Sequence, residues 1–226
     1  LATLDGTSAP KTTLLETAVI NQDASAVQWL LKRKACIDPF AEFFANIEPE
    51  REPVILRALR DSLSSSGGLG AFRIPLALLD AGADVSPQAR YYPNSEPAMI
   101  LLAKESWKGR ELAMAKMMSI VKEKGGCVDA RSPRTRMTPI RVALGQRNIT
   151  ALCTLIDLGA KTYDETIGVD IIEKCAASDF GEEITLVQAA IMRRVAREQA
   201  LSMANKAPSA GQASSASETI DPSIAA

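Results

Sequence analysis

Apolar residues recur along the chain in short segments at helical spacing, and two kinds of segment alternate four times. The first kind begins at Thr or Glu and is rich in Leu, Ile and Ala; its copies cover 13–18, 52–59, 96–103 and 138–144. The second kind ends in a tail of the type Leu-Leu-x-x-Gly-Ala-x-Val-Asp; its copies cover 30–38, 77–86, 121–129 and 154–163. Apolar positions three and four residues apart predict amphipathic helices. The pattern therefore predicts four helix pairs in succession.

Each predicted unit carries its own start and stop signals. Three of the four first segments begin with Thr or Glu followed by Pro, which places proline in the first helical turn, where its missing N–H costs nothing. Glycine tolerates the left-handed conformation that closes a helix, and Gly82, Gly125 and Gly159 occupy that place. Lys34 occupies it in the first unit, where a side chain makes the same conformation less favourable.

The repeated unit resembles the ankyrin repeat family, in which a motif T-P-L-H-x-A opens the first helix and G-A-x-V-N follows the second helix before an extended finger. The fourth unit carries the fullest match, at Thr138, Pro139, Ile140 and Ala143 for the first motif and Gly159 and Ala160 for the tail. The first unit fits without gaps, whereas the middle units need insertions of roughly eight or nine residues. The resemblance implies an all-α fold, an ankyrin-type helix-pair solenoid with extended finger loops.

On this resemblance the chain divides into an ankyrin-like repeat domain, 1–204, and a flexible tail, 205–226. Repeats are expected at about 11–38, 52–86, 96–129 and 136–164, and capping helices at about 168–204. The tail is rich in Ala, Ser, Pro and Gln, with little to bury. The last helix carries an apolar stripe that would cover the end of the stack, at Ile184, Val187, Ile191 and Val195, with Arg193, Arg194 and Arg197 largely off it.

The chain departs from the family in having no histidine. In ankyrin repeats the His of the first motif ties neighbouring units together, and Glu16 and Arg141 stand in its place here. The resemblance therefore implies weaker hydrogen bonding between units. The same absence excludes Ser-His and Cys-His nucleophiles, His-based general acids or bases, and His-ligated metal sites.

Two other features suit a structural explanation better than a catalytic one. The carboxylates of Asp179, Glu182 and Glu183 lie where a helix would begin, and acidic residues in a first turn favour its positive end. The glycines at 67, 68 and 70 lie in a serine-rich stretch without the Lys-Ser or Lys-Thr of a phosphate-binding loop. That stretch predicts a flexible inserted loop. We therefore expect no enzymatic activity, no cofactor and no metal site.

Composition and charge narrow the classes of partner. The chain is 46% hydrophobic but only 4% aromatic, which favours close-packed helices over β-sandwiches. Its 26 Lys and Arg balance 27 Asp and Glu, so no overall field would draw it to nucleic acid or to a membrane. No stretch reaches the roughly 18 consecutive apolar residues of a transmembrane helix. The four cysteines match no C-x-x-C spacing and indicate reduced thiols in an intracellular protein, cytoplasmic or nuclear. We expect the chain to be a monomer.

The strongest candidate for a binding site is an arginine-rich run at 129–147. It contains Arg131, Arg134, Arg136, Arg141 and Arg147, and no acidic residue beyond Asp129. The ankyrin resemblance would place the first three on a protruding finger and Arg141 at the start of the adjoining inner helix. Guanidinium groups bind carboxylates and phosphates with two parallel hydrogen bonds, so such a row suits an acidic or phosphorylated peptide. The alternative is a charge run that only contacts solvent.

Aromatic residues supply a second candidate. Tyr91 and Tyr92 are consecutive in a proline-flanked finger, and tyrosine is enriched in binding hot spots. The alternative is that one ring packs on its own helix pair. Phe40, Phe43 and Phe44 are expected to pack over the first two units, because three exposed phenylalanines would form a sticky patch.

These observations favour a scaffold or adaptor that binds a protein or peptide partner through its fingers and inner helices. Because the chain begins with Leu1 and not Met, a second hypothesis stays open. In it the chain is the recognition segment of a larger enzyme or of a secreted effector, whose catalytic part is encoded elsewhere.

Overall fold

The computed structural model describes residues 12–38, 52–64, 68–86, 95–105, 108–164, 169–170, 173 and 183–206. Within these ranges nine α-helices are α1 Leu14–Ile20, α2 Ala24–Lys32, α3 Val54–Leu63, α4 Arg73–Asp80, α5 Ala98–Lys104, α6 Glu111–Glu123, α7 Pro139–Gly145, α8 Ile149–Asp157 and α9 Glu183–Lys206. A 3-10 helix, Leu69–Phe72, precedes α4. The strands β1 Tyr163–Asp164 and β2 Val169–Asp170 form an antiparallel pair.

The described residues are mostly helical, which confirms the predicted helical class. The predicted helix start near 168 was wrong, because residues 169–170 form β2, whereas residue 173 is helical. Thr, Tyr, Val and Ile crowd this stretch of sequence, and aromatic and β-branched residues favour strands over helices. The predicted packing of Phe40, Phe43 and Phe44 lies outside the described residues.

The helices pack in two rows that follow chain order. The first row is α1, α3, α5 and α7, and each of these helices contacts the next one along the row. Each also contacts the helix that follows it in sequence, so that α2, α4, α6 and α8 form the second row. We call the successive pairs units 1 to 4. The 3-10 helix of unit 2 contacts α6, and α9 packs on α8 after the last pair.

The core lies between the two rows and between neighbouring units. Helix α5 shows how completely the chain is enclosed there, because all six residues from Ala98 to Ala103 are buried. Phe72, the largest fully buried side chain among the described residues, places the end of the 3-10 helix in this core. Complete burial of one such apolar side chain stabilises the fold by about 1.5–3 kcal/mol. The apolar spacing that predicted the helices therefore also marks the core.

The second helix of every unit ends in the same way. The residue after the cap is left-handed in all four units, with φ of 60° at Lys34, 91° at Gly82, 95° at Gly125 and 93° at Gly159. The next N–H then donates to the carbonyl five residues earlier, at 2.8–3.1 Å; the pairs are Ala35 to Leu30, Ala83 to Leu78, Gly126 to Val121 and Ala160 to Leu155. This is the Schellman closure. The predicted left-handed positions are confirmed, including the lysine.

The first-row helices begin in two different ways, and the predicted starts of α3 and α5 are corrected. Pro139 occupies the first helical position of α7, as expected. Pro53 and Pro97 instead occupy the N-cap itself, so α3 and α5 begin one residue later than predicted. Their φ of −54° and −55° with ψ of 143° and 144° are extended, and each proline carbonyl accepts the first helical hydrogen bond over 3.0 Å. Proline is suitable as an N-cap because that position uses its backbone carbonyl as a hydrogen-bond acceptor and does not need an N–H donor.

Helix α9 covers the end of α8, but not by its apolar stripe alone. Val187 and Ala190 are buried, whereas Val195 of the predicted stripe is 40% exposed. Arg194 and Arg197 were expected largely off this face, yet their Nη1 atoms donate to the carbonyls of Ala160 and Asp157 over 2.6 Å. The Asp157 carbonyl is the last of α8, where carbonyls lack internal partners and carry partial negative charge, and Ala160 follows the closure of that helix. The two arginines therefore bind backbone acceptors that the end of unit 4 leaves available.

Candidate functional site

Residues 127–138, which we call the arginine finger, join α6 to α7 in a closed turn. The Ser132 N–H donates to the Met137 carbonyl over 2.9 Å, and the Arg136 N–H donates to the Ser132 carbonyl over 2.9 Å. Arg136 has a left-handed φ of 60°. The backbone of the finger is therefore set by its own hydrogen bonds and needs no partner to order it.

Ser132 fixes the finger to the rest of the molecule. Its side chain is 1% exposed, and its hydroxyl accepts the Thr135 N–H over 3.1 Å. The same hydroxyl donates to Glu96 Oε1 over 2.9 Å, and Glu96 lies two residues before α5. The turn of the finger is thus tied to the start of the preceding first-row helix. The sequence analysis missed Ser132, although a Ser-Pro pair inside a basic run is a turn signal.

The finger exposes three of the predicted arginines together. Arg131, Arg134 and Arg136 are exposed, and Arg131 Nη1 lies 3.5 Å from the Arg136 carbonyl. Within the described part of the chain, the side chains of Arg134 and Arg136 make no hydrogen bond or ion pair. Two guanidinium groups are therefore available to an anionic ligand from a single rigid turn.

The other predicted site residues are not equivalent to these three. Arg141 is half-buried in the first turn of α7 and has interactions of its own. It belongs to the helix that the finger leads into, as expected for an inner-helix position. Tyr91 and Tyr92 lie outside the described residues, so the aromatic finger stays a prediction.

Side-chain carboxylates link neighbouring units through backbone N–H groups. Asp129 Oδ1 accepts the Lys161 N–H over 2.8 Å, and Asp38 Oδ1 accepts the Val54 N–H over 3.4 Å. Both aspartates come from the tail of one unit and bind the next unit. These contacts supply part of the hydrogen bonding between units in a chain that has no histidine.

Two buried polar atoms at the starts of first-row helices lack a hydrogen-bond partner in the described structure. They are Thr138 Oγ1, before α7, and Glu96 Oε2, before α5. An unsatisfied buried group costs about 1–3 kcal/mol. In unit 1 the corresponding Thr13 is satisfied, because its hydroxyl accepts the Glu16 N–H while the Glu16 side chain accepts the Thr13 N–H. The helix starts therefore differ in hydrogen bonding although their sequences are similar.

Glu52, which lies two residues before α3, has a pKa that departs from its ordinary value. Burial raises the pKa of Glu52 above its ordinary value of 4.5, and the nearby positive charge of Arg60 offsets part of this rise. Arg60 Nη2 lies 2.7 Å from Glu52 Oε1, and the Arg60 side chain is still 53% exposed. Arg60 is thus paired with one carboxylate while about half of its side chain is exposed to solvent.

The same described ranges lack several other common types of site. No group of three or more Cys, Asp or Glu side chains there could hold a metal ion, and no helix there is long and apolar enough to cross a membrane. Cys36, Cys127 and Cys153 form no disulfide. The candidate carboxylates Asp179 and Glu182 lie outside these ranges, and Glu183 begins α9. Comparison with known proteins found no family model that matches the chain and no significantly similar curated protein.

Proposed function

We propose that this chain is an ankyrin-type repeat module that binds a protein partner through the arginine finger and the first-row helices. The partner segment is acidic or phosphorylated. One observation carries the proposal: three arginines are exposed on a turn that the part-buried Ser132–Glu96 hydrogen bond holds in place. A binding surface with a fixed backbone loses little entropy when it receives its ligand.

The repeated architecture supports the ankyrin-type part of the proposal. Three of the four first-row helices have seven residues, and a second-row helix follows each one. All four second-row helices close with a left-handed residue and the same pair of backbone hydrogen bonds. In units 1 and 4 the connection between the two helices also repeats, with left-handed Gln22 and Arg147 followed by the side-chain caps Asp23 and Asn148.

The chemistry of the finger supports the acidic part. Arginine binds carboxylate and phosphate oxygens in a planar, two-pronged way that lysine does not reproduce. Such contacts would be partly exposed, so their contribution should fall as salt concentration rises. An acidic or phosphorylated segment satisfies both the charge and the geometry of this turn.

The test replaces Arg134 and Arg136 together by Glu and measures binding of labelled polyglutamate and phosphoserine peptides by fluorescence anisotropy at low and physiological salt. The matched control is Lys32→Glu with Lys116→Glu, which makes the same change of charge at exposed positions on second-row helices. We expect the arginine variant to weaken binding at least about tenfold and to lose most of the salt dependence. Equal weakening by both variants, or by neither, would remove the finger as the binding site.

A further inference from the structure

Helix α2 of unit 1 carries four residues along one face, which we call the α2 seam. They are Asp23, Ala26, Leu30 and Arg33, and the first and last are the N-cap and C-cap of the helix. Their spacing of three, four and three residues is that of the a and d positions of a coiled coil. The seam therefore has a carboxylate at one end, a guanidinium at the other end and apolar side chains between them.

The apolar middle of the α2 seam is less covered than the same positions in the later units. Ala26 and Leu30 are half-buried. The backbone closures set the register between units, and the residues aligned with these two positions in units 2 to 4 are all buried: Ile74, Leu78, Met117, Val121, Ala151 and Leu155. Unit 1 thus leaves open an apolar surface that the later units enclose.

Trp29 holds Arg33 in a fixed orientation at one end of the seam. The guanidinium carbon of Arg33 lies 4.0 Å from the centroid of the Trp29 ring, and Trp29 is itself 54% exposed. A guanidinium stacked on an aromatic face keeps its N–H donors free in its own plane. The Arg33 side chain makes no hydrogen bond or ion pair with any residue that the structure describes. Its donors are therefore available to a carboxylate from another molecule.

The counterpart of Arg33 in unit 3 shows what such a cation binds. Lys124 is the C-cap of α6, as Arg33 is the C-cap of α2. Lys124 Nζ lies 3.2 Å from Oδ1 of Asp80, the last residue of the neighbouring second-row helix α4. A cation at this position thus pairs with a carboxylate of an adjacent second-row helix, and Arg33 is placed to do the same with a helix that packs on α2.

We propose that the α2 seam binds the α2 seam of a second copy of this chain, with the two helices antiparallel about a two-fold axis. In an antiparallel pair each a position packs against a d position of the other helix. Asp23 of each copy then faces Arg33 of the other, and Ala26 faces Leu30. Trp29, one residue from the midpoint of the seam, lies beside its own copy.

The charges of the seam select a second copy in this orientation. Asp23 Oδ1 accepts the Ala26 N–H over 2.9 Å, and Oδ2 makes no hydrogen bond among the described residues, so it can accept from a guanidinium. Asp23 and Arg33 are about 15 Å apart along α2. Two charge pairs can form together only with an antiparallel helix that has the same separation of opposite charges. A parallel helix of this sequence would place like charges together.

The expected dimer is weak. One pair of nine-residue helices makes a small interface, and interfaces below about 1,200 Å² belong to transient complexes. We expect a dissociation constant of about 10–100 μM that rises with salt, because both charge pairs are at exposed positions. This dimer goes beyond the proposed function, does not involve the arginine finger, and replaces the monomer expected from the sequence.

The experiment measures the dissociation constant of the chain by sedimentation velocity. Arg33→Glu and Asp23→Lys should each weaken self-association at least about tenfold, because each variant places like charges together twice. An equimolar mixture of the two variants should recover the affinity as a heterodimer, since opposite charges then meet at both ends. Lys32→Glu is the matched control. It makes the same change of charge as Arg33→Glu at the adjacent exposed residue of α2, outside the seam, and should leave the constant unchanged.

Two further measurements separate the dimer from other effects. Asp23→Lys also removes an N-cap, which costs about 1 kcal/mol of stability. Thermal unfolding followed by circular dichroism therefore accompanies each variant, and Arg33→Glu, which leaves the N-cap intact, tests the seam by itself. Arg134→Glu with Arg136→Glu should leave the dimer unchanged. Peptide binding lost in that variant with the dimer retained would show that the two surfaces are independent.

Three results would overturn the dimer. The first is a mixture of Arg33→Glu and Asp23→Lys that associates no better than either variant alone. The second is equal weakening by Arg33→Glu and Lys32→Glu. The third is a chain that stays monomeric well above about 100 μM. Acrylamide quenching of Trp29 in a Trp107→Phe background then shows what replaces the second copy: a protected ring means that the chain covers its own seam, and an accessible ring means that the seam is open to another protein.

Discussion

Ser132 Oγ donates to Glu96 Oε1 over 2.9 Å, and this hydrogen bond joins the arginine finger to the preceding first-row helix, 36 positions earlier in the chain. Ser132 is buried and Glu96 is half-buried, and the second carboxylate oxygen of Glu96 is buried without a partner among the described residues. This contact to a carboxylate is worth about 1.5–3 kcal/mol, and it adds to the backbone hydrogen bonds within the finger and to the contact between Asp129 and the Lys161 N–H.

Replacing Ser132 by Ala should lower the free energy of unfolding by about 1–3 kcal/mol, because the Glu96 carboxylate would then keep no hydrogen-bond partner in the described structure. Urea denaturation followed by circular dichroism measures this change. Ser119→Ala is the control, since the Ser119 hydroxyl only donates to the Ala115 carbonyl within α6. A coupling energy near zero in a double-mutant cycle with Glu96→Ala would show that the two side chains do not interact in solution.

Lys34→Gly should stabilise the protein. Lys34 has a φ of 60° at a closure where three other units have glycine, and a left-handed non-glycine residue costs about 1 kcal/mol. Part of this gain is offset because glycine also has more freedom in the unfolded chain. We expect a higher midpoint of thermal unfolding. The reverse change, Gly82→Lys, should lower the midpoint by a similar amount, and a drop for both variants would contradict the closure at Lys34.

Gly126→Ala should destabilise the protein, although Ala occupies the same place in units 1, 2 and 4. A Cβ on Gly126 would lie 2.7 Å from the Val121 carbonyl oxygen and 2.6 Å from Val121 Cγ1. Moving backbone or repacking Val121 to relieve such overlap costs about 1–3 kcal/mol. The measurement is chemical denaturation, with Ala160→Gly as the converse change. A Gly126→Ala variant as stable as the parent would mean that unit 3 closes as the other units do.

Stability should depend on pH through Glu52. Because the folded-state pKa of Glu52 is raised above 4.5, its protonated form is favoured on folding. The resulting stabilisation is complete below pH 4.5 and is lost as the pH rises through the raised pKa. Glu52→Gln, which stays neutral and keeps an acceptor for Arg60, should therefore be more stable than the parent at neutral pH and equal to it at low pH.

The pKa of Glu111 is shifted in the opposite direction to that of Glu52, so Glu111→Gln serves as a control. The hydrogen bonds from its own backbone N–H and from that of Gly109 lower the pKa of Glu111 below 4.5. The stabilisation of the fold by ionised Glu111 is present above pH 4.5 and is lost as the pH falls through the lowered pKa. Thermal unfolding of Glu52→Gln and Glu111→Gln across this range should show differences of opposite sign. The same sign in both variants would be inconsistent with burial as the cause at Glu52.

Local patterns made several parts of this fold predictable. Apolar spacing marked the helices, and glycine at 82, 125 and 159 marked their left-handed closures, because no other residue adopts that conformation at so little cost. The exposed position of Arg131, Arg134 and Arg136 could be expected from charge alone. Proline did not fix the helix starts, because it is favourable both at the N-cap and at the first helical position. The predicted starts of α3 and α5 were therefore one residue too early.

Contacts between distant residues were not predictable from the chain. Nothing local pairs Ser132 with Glu96, which lies 36 positions earlier in the chain. The arginines of α9 were misjudged for a related reason. Helical periodicity treats charge as facing solvent, whereas Arg194 and Arg197 face the carbonyls at the end of α8.

That arrangement at the end of α8 decides where the molecule can be lengthened by design. A consensus helix pair grafted directly after α8 would have to displace the guanidinium groups of Arg194 and Arg197 and leave the Asp157 and Ala160 carbonyls without donors. A pair grafted between units 2 and 3 would meet first-row surfaces that already pack against each other, since α3 contacts α5. Longer versions of this protein should therefore be made by internal duplication, with α9 kept on the final unit.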